Sequence, residues 1–226
     1  MDFLARDGKD LMGVAADGVS LVLLRTKLDK PGAATFTVEG GGSLYPVGDP
    51  NPFASPGSAS VHMEAYPFDT GAYHAFALYR PPLSHGPGSG KKINFKVSAG
   101  SATASKSVDL VRPPVVLVHG TYDNPNYCYW KHEDDDDAPT NLGPLLQSKG
   151  FTDISTLDWE ETNGMKDPSD FETNQKTVRV NKGGIKDAIA EMRRRNIAVT
   201  QCDLVCHSQG GSSAACTPRG SRSWCL

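Results

Sequence analysis

No run of apolar residues in this chain approaches the roughly 20 that a membrane-spanning helix needs, so a helical membrane anchor is not expected. The first residues, Met1-Asp2-Phe3-Leu4-Ala5-Arg6-Asp7, carry early acids and no hydrophobic export core. A soluble, cytoplasmic protein is the default expectation, or a secreted one if the natural N-terminus lies upstream. An excess of one charge is also missing. The 23 Lys and Arg nearly balance 26 Asp and Glu for a net charge of -3, which leaves no electrostatic footprint for nucleic acid or an anionic membrane. Cysteine is scarce: five residues, an odd number in a chain too long to need disulfide staples. Cys202 and Cys206 are spaced to share one side of a strand and read as buried free thiols. Together with Cys216 and Cys225 they lack the paired spacing of a zinc site, and no histidine sits at ligand spacing from them. Neither a metal nor a cofactor is expected.

What is present is enough apolar material, 38% of 226 residues, to bury a sizeable core. From about Val19 to Val111 short period-two runs alternate with Gly/Pro/Ser turns, which predicts an all-β antiparallel, Ig-like sandwich. The runs are Val19 to Thr26, Ala34 to Glu39, Ser60 to Ala65, Ala72 to Arg80, Lys91 to Ala99 and Ser105 to Val111. His62, His74 and His85 are scattered among them without neighbouring acids and read as surface or packing residues. Arg112-Pro113-Pro114 marks a joint, because prolines forbid helix and remove ladder donors. The predicted domains are therefore 1–112 and 113–226.

Beyond the joint the pattern changes. Val115-Val116-Leu117-Val118 is uniformly apolar, as in a parallel strand covered on both faces. A short helix over Asn141 to Lys149, a strand over Asp153 to Asp158, a helix over Thr173 to Arg195 and a strand over Asp203 to Cys206 follow. Gly183-Gly184 suggests a kink or break in the longer helix. Arg193-Arg194-Arg195 complements the dipole at its end.

Two motifs carry chemistry. His119-Gly120-Thr121 follows the first apolar strand, and His207-Ser208-Gln209-Gly210-Gly211 follows the last. A serine at a sharp strand-to-helix turn is held clear of the sheet with backbone N–H groups beside it, the geometry of a nucleophile. On these residues the chain from Pro113 to Gly211 resembles the α/β-hydrolase superfamily, among its lipase- and esterase-like members. The resemblance implies a parallel three-layer α/β domain, incomplete here, with Val115 to Val118 between the two later strands. It implies that Ser208 forms an acyl-enzyme on a small-molecule or lipid ester. It places the oxyanion hole at the backbone N–H groups of Gln209 and of Thr121, or alternatively Tyr122. His119 and Gly120 belong to the oxyanion loop, and Gly210 and Gly211 match the positions that let the helix after the turn pack closely against the strand. His207 reads as a sheet-end packing residue, pointing away from the hydroxyl.

The resemblance also implies an acid and a histidine after the serine. None follows: Ser212 to Leu226 contains no Asp, Glu or His, shifts to Ser, Arg and Cys, and has Pro218 where a helix is expected. The atypical tail 212–226 reads as a prematurely ended or frame-shifted product, and weak turnover is expected. The strand ending at Cys206 would then have an unpaired edge prone to intermolecular pairing. The contrasting expectation is a non-catalytic binding module with a vestigial hydrolase domain, in which the sandwich recognises a partner whose chemistry the residues do not indicate. The acidic run His132 to Asp137 has no calcium-loop alternation and reads as solvated. Tyr122, Tyr127, Tyr129 and Trp130 either line a pocket or pack their own loop.

Overall fold

Alternation along Lys92–Ala99 shows how the first half of the chain is built. Ile93, Phe95 and Val97 are buried while Lys92, Asn94 and Lys96 meet water, as a strand with one wet face requires. The computed structural model describes residues 10–69, 71–120, 142–157, 183–208, 210–211 and 221–225. The chain forms two compact units, Met1–Val111 with Arg195–Val199 and Arg112–Arg194 with Thr200–Leu226. In chain order the elements are β1 (Gly13–Ala15), β2 (Val22–Leu28), β3 (Ala33–Glu39), β4 (Ser43–Pro46), β5 (Ser60–Glu64), β6 (Tyr66–Asp69), β7 (Ala72–Arg80), β8 (Lys92–Ala99), β9 (Ala102–Val111), β10 (Val115–Val118), α1 (Leu142–Ser148), β11 (Ile154–Leu157), α2 (Ile185–Arg194), β12 (Ile197–Ala198), β13 (Cys202–Cys206) and β14 (Ser221–Cys225).

In the first unit β12-β1-β9-β8-β3-β5 form one sheet, and β2-β7-β4, with β6 on β7, form another. Their inner faces share one core that includes Phe36, Phe95 and Ile93 from the first and Leu24, Leu44 and Tyr79 from the second. Tyr79 meets Phe95 edge to face at 4.8 Å, a favoured geometry for aromatic pairs. The Tyr79 hydroxyl donates to the carbonyl of Gly41 at 3.1 Å, and burial pushes its ionisation well above the ordinary phenol range. His74 and His85 are buried; the Nε2 of His85 lies 2.9 Å from the carbonyl oxygen of Leu110.

In the second unit the order is β11-β10-β13-β14, all parallel. β10 is buried at all four positions. Val115 and Leu117 pack with Leu142 and Leu146 of α1 and with Phe151. Val116 and Val118 pack with Ala188 and Ile185 of α2 and with Cys202, Leu204 and Cys206. Burying each such side chain contributes about 1.5–3 kcal/mol.

The expected fold class requires correction. Among the described residues there are fourteen strands and two helices, of seven and ten residues, and the molecule is mostly β. The larger sheet of the first unit is mixed rather than all-antiparallel, because β1 runs parallel to both β9 and β12. The second unit is not the many-helix, three-layer α/β-hydrolase domain: among the described residues each face of β10 meets one short helix. A uniformly apolar strand reports that both its faces are dry, and a short helix with neighbouring loop residues dries a four-residue strand without full helical layers. β14 supplies a second correction. It pairs with β13 along its whole length, from Cys202 opposite Ser221 to Cys206 opposite Cys225, so that edge of β13 is covered.

Candidate active site

The carboxyl ends of β10 and β13 bring the two motifs together. Beyond Cys206 the backbone N–H of His207 still donates to the carbonyl of Val118 at 3.0 Å, which ties the turn to the neighbouring strand. The chain then reverses at Ser208, whose φ is +52°. A non-glycine residue in the left-handed region costs about 1–2 kcal/mol, and such strain persists where the surroundings dictate it. Here N–H donation from Gly210 to the carbonyl of His207 and from Gly211 to that of Ser208, both at 3.0 Å, closes the turn. Ser208 and His207 are exposed, whereas His119, Gly120 and Gly210 are buried.

Two glycines make room for this arrangement. A Cβ on Gly120 would stand 2.9 Å from the Ser208 Cβ and 3.1 Å from the His207 Nδ1. A Cβ on Gly210 would stand 2.6 Å from the carbonyl oxygen of Val118 and 2.7 Å from that of His119. Neither position accepts a larger residue without movement. Gly120 therefore has a spacing role toward Ser208 that its place in an oxyanion motif did not reveal. The signal was available in one respect, since a glycine directly after a strand-end histidine marks close backbone approach. His119 is fully buried with its Nδ1 3.1 Å from the carbonyl oxygen of Gly120. His207 sits at the sheet end, solvent-exposed, with its ring beside Gly120.

Thr121 and Gln209 lie outside the described residues, as do Tyr122, Tyr127, Tyr129, Trp130 and the run 132–137. So does most of the tail, apart from β14. The structure thus joins His119, Gly120, His207, Ser208, Gly210 and Gly211.

Surrounding groups frame the site. Cys202 and Cys206 are buried free thiols beneath it. Burial, helped by the charge of Asp203, pushes the Cys202 thiol from 9.0 up to about 12, which makes it a packing group and not a nucleophile. At the end of β11, a Cβ on Gly183 would stand 2.6 Å from the Thr156 carbonyl oxygen, and the residue adopts φ +78°. Its N–H donates to the Asp187 carboxylate at 3.1 Å, so α2 begins just beyond the double glycine. Among the described residues no three His, Cys, Asp or Glu side chains gather as a metal site. Among them, too, no helix is long and apolar enough to cross a membrane.

No family model matches the chain, and no curated protein does. Among solved structures it is similar to a Bifidobacterium dentium β-glucuronidase complexed with coumarin-3-O-glucuronide, at 10% identity over 92% of this chain and 43% of that one, with a TM-score of 0.26. A family 123 glycoside hydrolase from Clostridium perfringens is similar at 11% identity over 87% and 59%, with a TM-score of 0.21. The chain spans about half the length of these proteins, and superpositions this loose carry no argument about fold or activity.

Proposed function

We propose that Ser208 is the nucleophile of a serine ester hydrolase acting on a small-molecule or lipid ester. The observation that carries this reading is an exposed serine at φ +52° directly after a buried parallel strand, with glycines spaced around it. In the reaction Ser208 Oγ attacks the ester carbonyl carbon and loses its proton, and the oxyanion takes hydrogen bonds from the backbone N–H groups of Gln209 and Thr121. The alcohol then departs with a proton, leaving an acyl-serine that water hydrolyses.

Labelling with a fluorophosphonate tests the assignment, because the reagent needs a reactive hydroxyl and reports acylation without turnover. The expected result is one modified residue, Ser208, identified by peptide mass spectrometry, with complete loss in Ser208→Ala. Absence of labelling at Ser208 in the folded chain would refute the nucleophile and favour a non-catalytic binding module. Hydrolysis of a p-nitrophenyl ester that vanishes in Ser208→Ala would uphold the nucleophile by a second route.

A further inference from the structure

Glycine at position 120 settles one problem of this turn and creates another. A Cβ there would stand 2.9 Å from the Ser208 Cβ, 3.1 Å from the His207 Nδ1 and 3.4 Å from the His207 carbonyl oxygen, so the approach of the two segments admits no side chain. Without one, the backbone turns about φ and ψ more freely than at other residue types. The bond from the His207 N–H to β10 ends on the Val118 carbonyl, two residues short of Gly120. Rotation about ψ matters here because a peptide unit is planar and trans, so that its C=O and the N–H that follows point in opposite directions. Wherever the Gly120 carbonyl swings, the N–H assigned above to the oxyanion swings with it.

The group that meets the Gly120 carbonyl is the side chain immediately before it. The His119 Nδ1 lies 3.1 Å from that oxygen. A carbonyl only accepts, so the contact requires the tautomer with its proton on Nδ1. The ring is fully buried, and its backbone is packed against the serine turn, where a Cβ on Gly210 would stand 2.7 Å from the His119 carbonyl oxygen. An aliphatic side chain would fill the same place without the cost of burying two ring nitrogens. What the imidazole adds is a directed donor.

We propose that His119 is a positioning residue for acylation: its Nδ1–H pins the Gly120 carbonyl and so aims the N–H of the same peptide unit at the oxyanion formed on attack by Ser208. The inference rests on the reading of Ser208 as nucleophile. His119 touches neither the ester nor the reacting atoms, and it neither gives nor takes a proton. Its effect falls on how fast a bound ester is attacked and not on how tightly the ester binds, because the oxyanion exists only once attack has begun.

Fluorophosphonate labelling of Ser208 at increasing reagent concentration separates the limiting rate from the half-saturating concentration. His119→Leu removes the donor and is expected to lower the limiting rate about tenfold or more, short of the roughly hundred- to thousandfold cost of losing an oxyanion donor outright. The half-saturating concentration is expected to stay unchanged. His119→Asn carries an amide N–H one bond beyond Cγ, as Nδ1–H is, and is expected to restore most of the rate. A residue that only filled space would be replaced by Leu at least as well as by Asn. A parental limiting rate in His119→Leu would overturn the proposal, as would a loss that Asn fails to restore or one confined to half-saturation. Thermal melting shows whether each variant is folded. The 15N shifts of His119 in the unsubstituted protein test the contact without any substitution, a proton on Nδ1 being expected and one on Nε2 overturning the proposal. If Ser208 of the unsubstituted chain takes no label, the nucleophile and this inference fail together; if it labels and His119→Leu labels equally fast, only this inference fails.

Discussion

Along Lys92–Ala99 apolar and polar side chains take turns, whereas Val115–Val118 is apolar throughout and buried at every position. β8 lies between antiparallel neighbours β3 and β9 and keeps one face wet. β10 lies between parallel neighbours β11 and β13 and keeps none. A strand such as β8 or β2 therefore has a tolerant side, where buried and solvent-facing positions alternate. The second unit has no tolerant side at its centre. That intolerance is useful, because Ser208 needs an unyielding support to hold a strained backbone.

The contrast is sharpest for a charge. Val116→Asp places a carboxylate where no water reaches and is expected to cost about 4 kcal/mol or more, enough to unfold the second unit. Lys96→Thr on the wet face of β8 is expected to stay within about 0.5 kcal/mol. Chemical denaturation of the two variants measures the difference, and equal losses would break the comparison.

A smaller effect separates two glycines. Gly210→Ala drives a methyl into two backbone carbonyls and is expected to cost about 3 kcal/mol. Gly48→Ala in the first unit meets nothing within 4 Å and is expected to stay within about 0.5 kcal/mol. Thermal melts of both variants report the contrast, and an unchanged melt for Gly210→Ala would mean that the turn lies farther from β10.

The smallest effect has the opposite sign. Ser208→Gly removes the left-handed strain and is expected to stabilise the chain by about 1 kcal/mol while abolishing fluorophosphonate labelling. A destabilised Ser208→Gly would show that the serine is held by favourable contacts instead of against strain.

The strands of the first unit were legible where their alternation was long: Ala72–Arg80 is β7 residue for residue, and β3, β5 and β8 differ by a residue or so at their ends. β9 extends three residues further toward Ala102, where Ala102–Ser105 is exposed and its side chains give no pattern. β1, β4, β6 and β12 were not read at all, because two to four residues hold too little periodicity to rise above turn sequence. The order β11-β10-β13 agreed with what the resemblance implied, but the fold class that the resemblance implied did not. Apolar runs state how much of a strand is dry and are silent on what covers it. For the site, Ser208 between a strand and two glycines was readable from sequence alone. The approach of Gly120 to within van der Waals contact of Ser208 was not, because 88 positions of chain separate the two residues.

By itself the sequence determined where backbone must bend, which strand faces are apolar and that a serine stands at a turn, since each follows from side-chain size, polarity and spacing among near neighbours. The tertiary structure alone decided that β14 would cover β13, that β1 and β12 would pair in parallel, and that Gly120 would come to rest against Ser208. Those outcomes depend on contacts between distant segments, whose free energy is set by mutual fit and not by any local pattern.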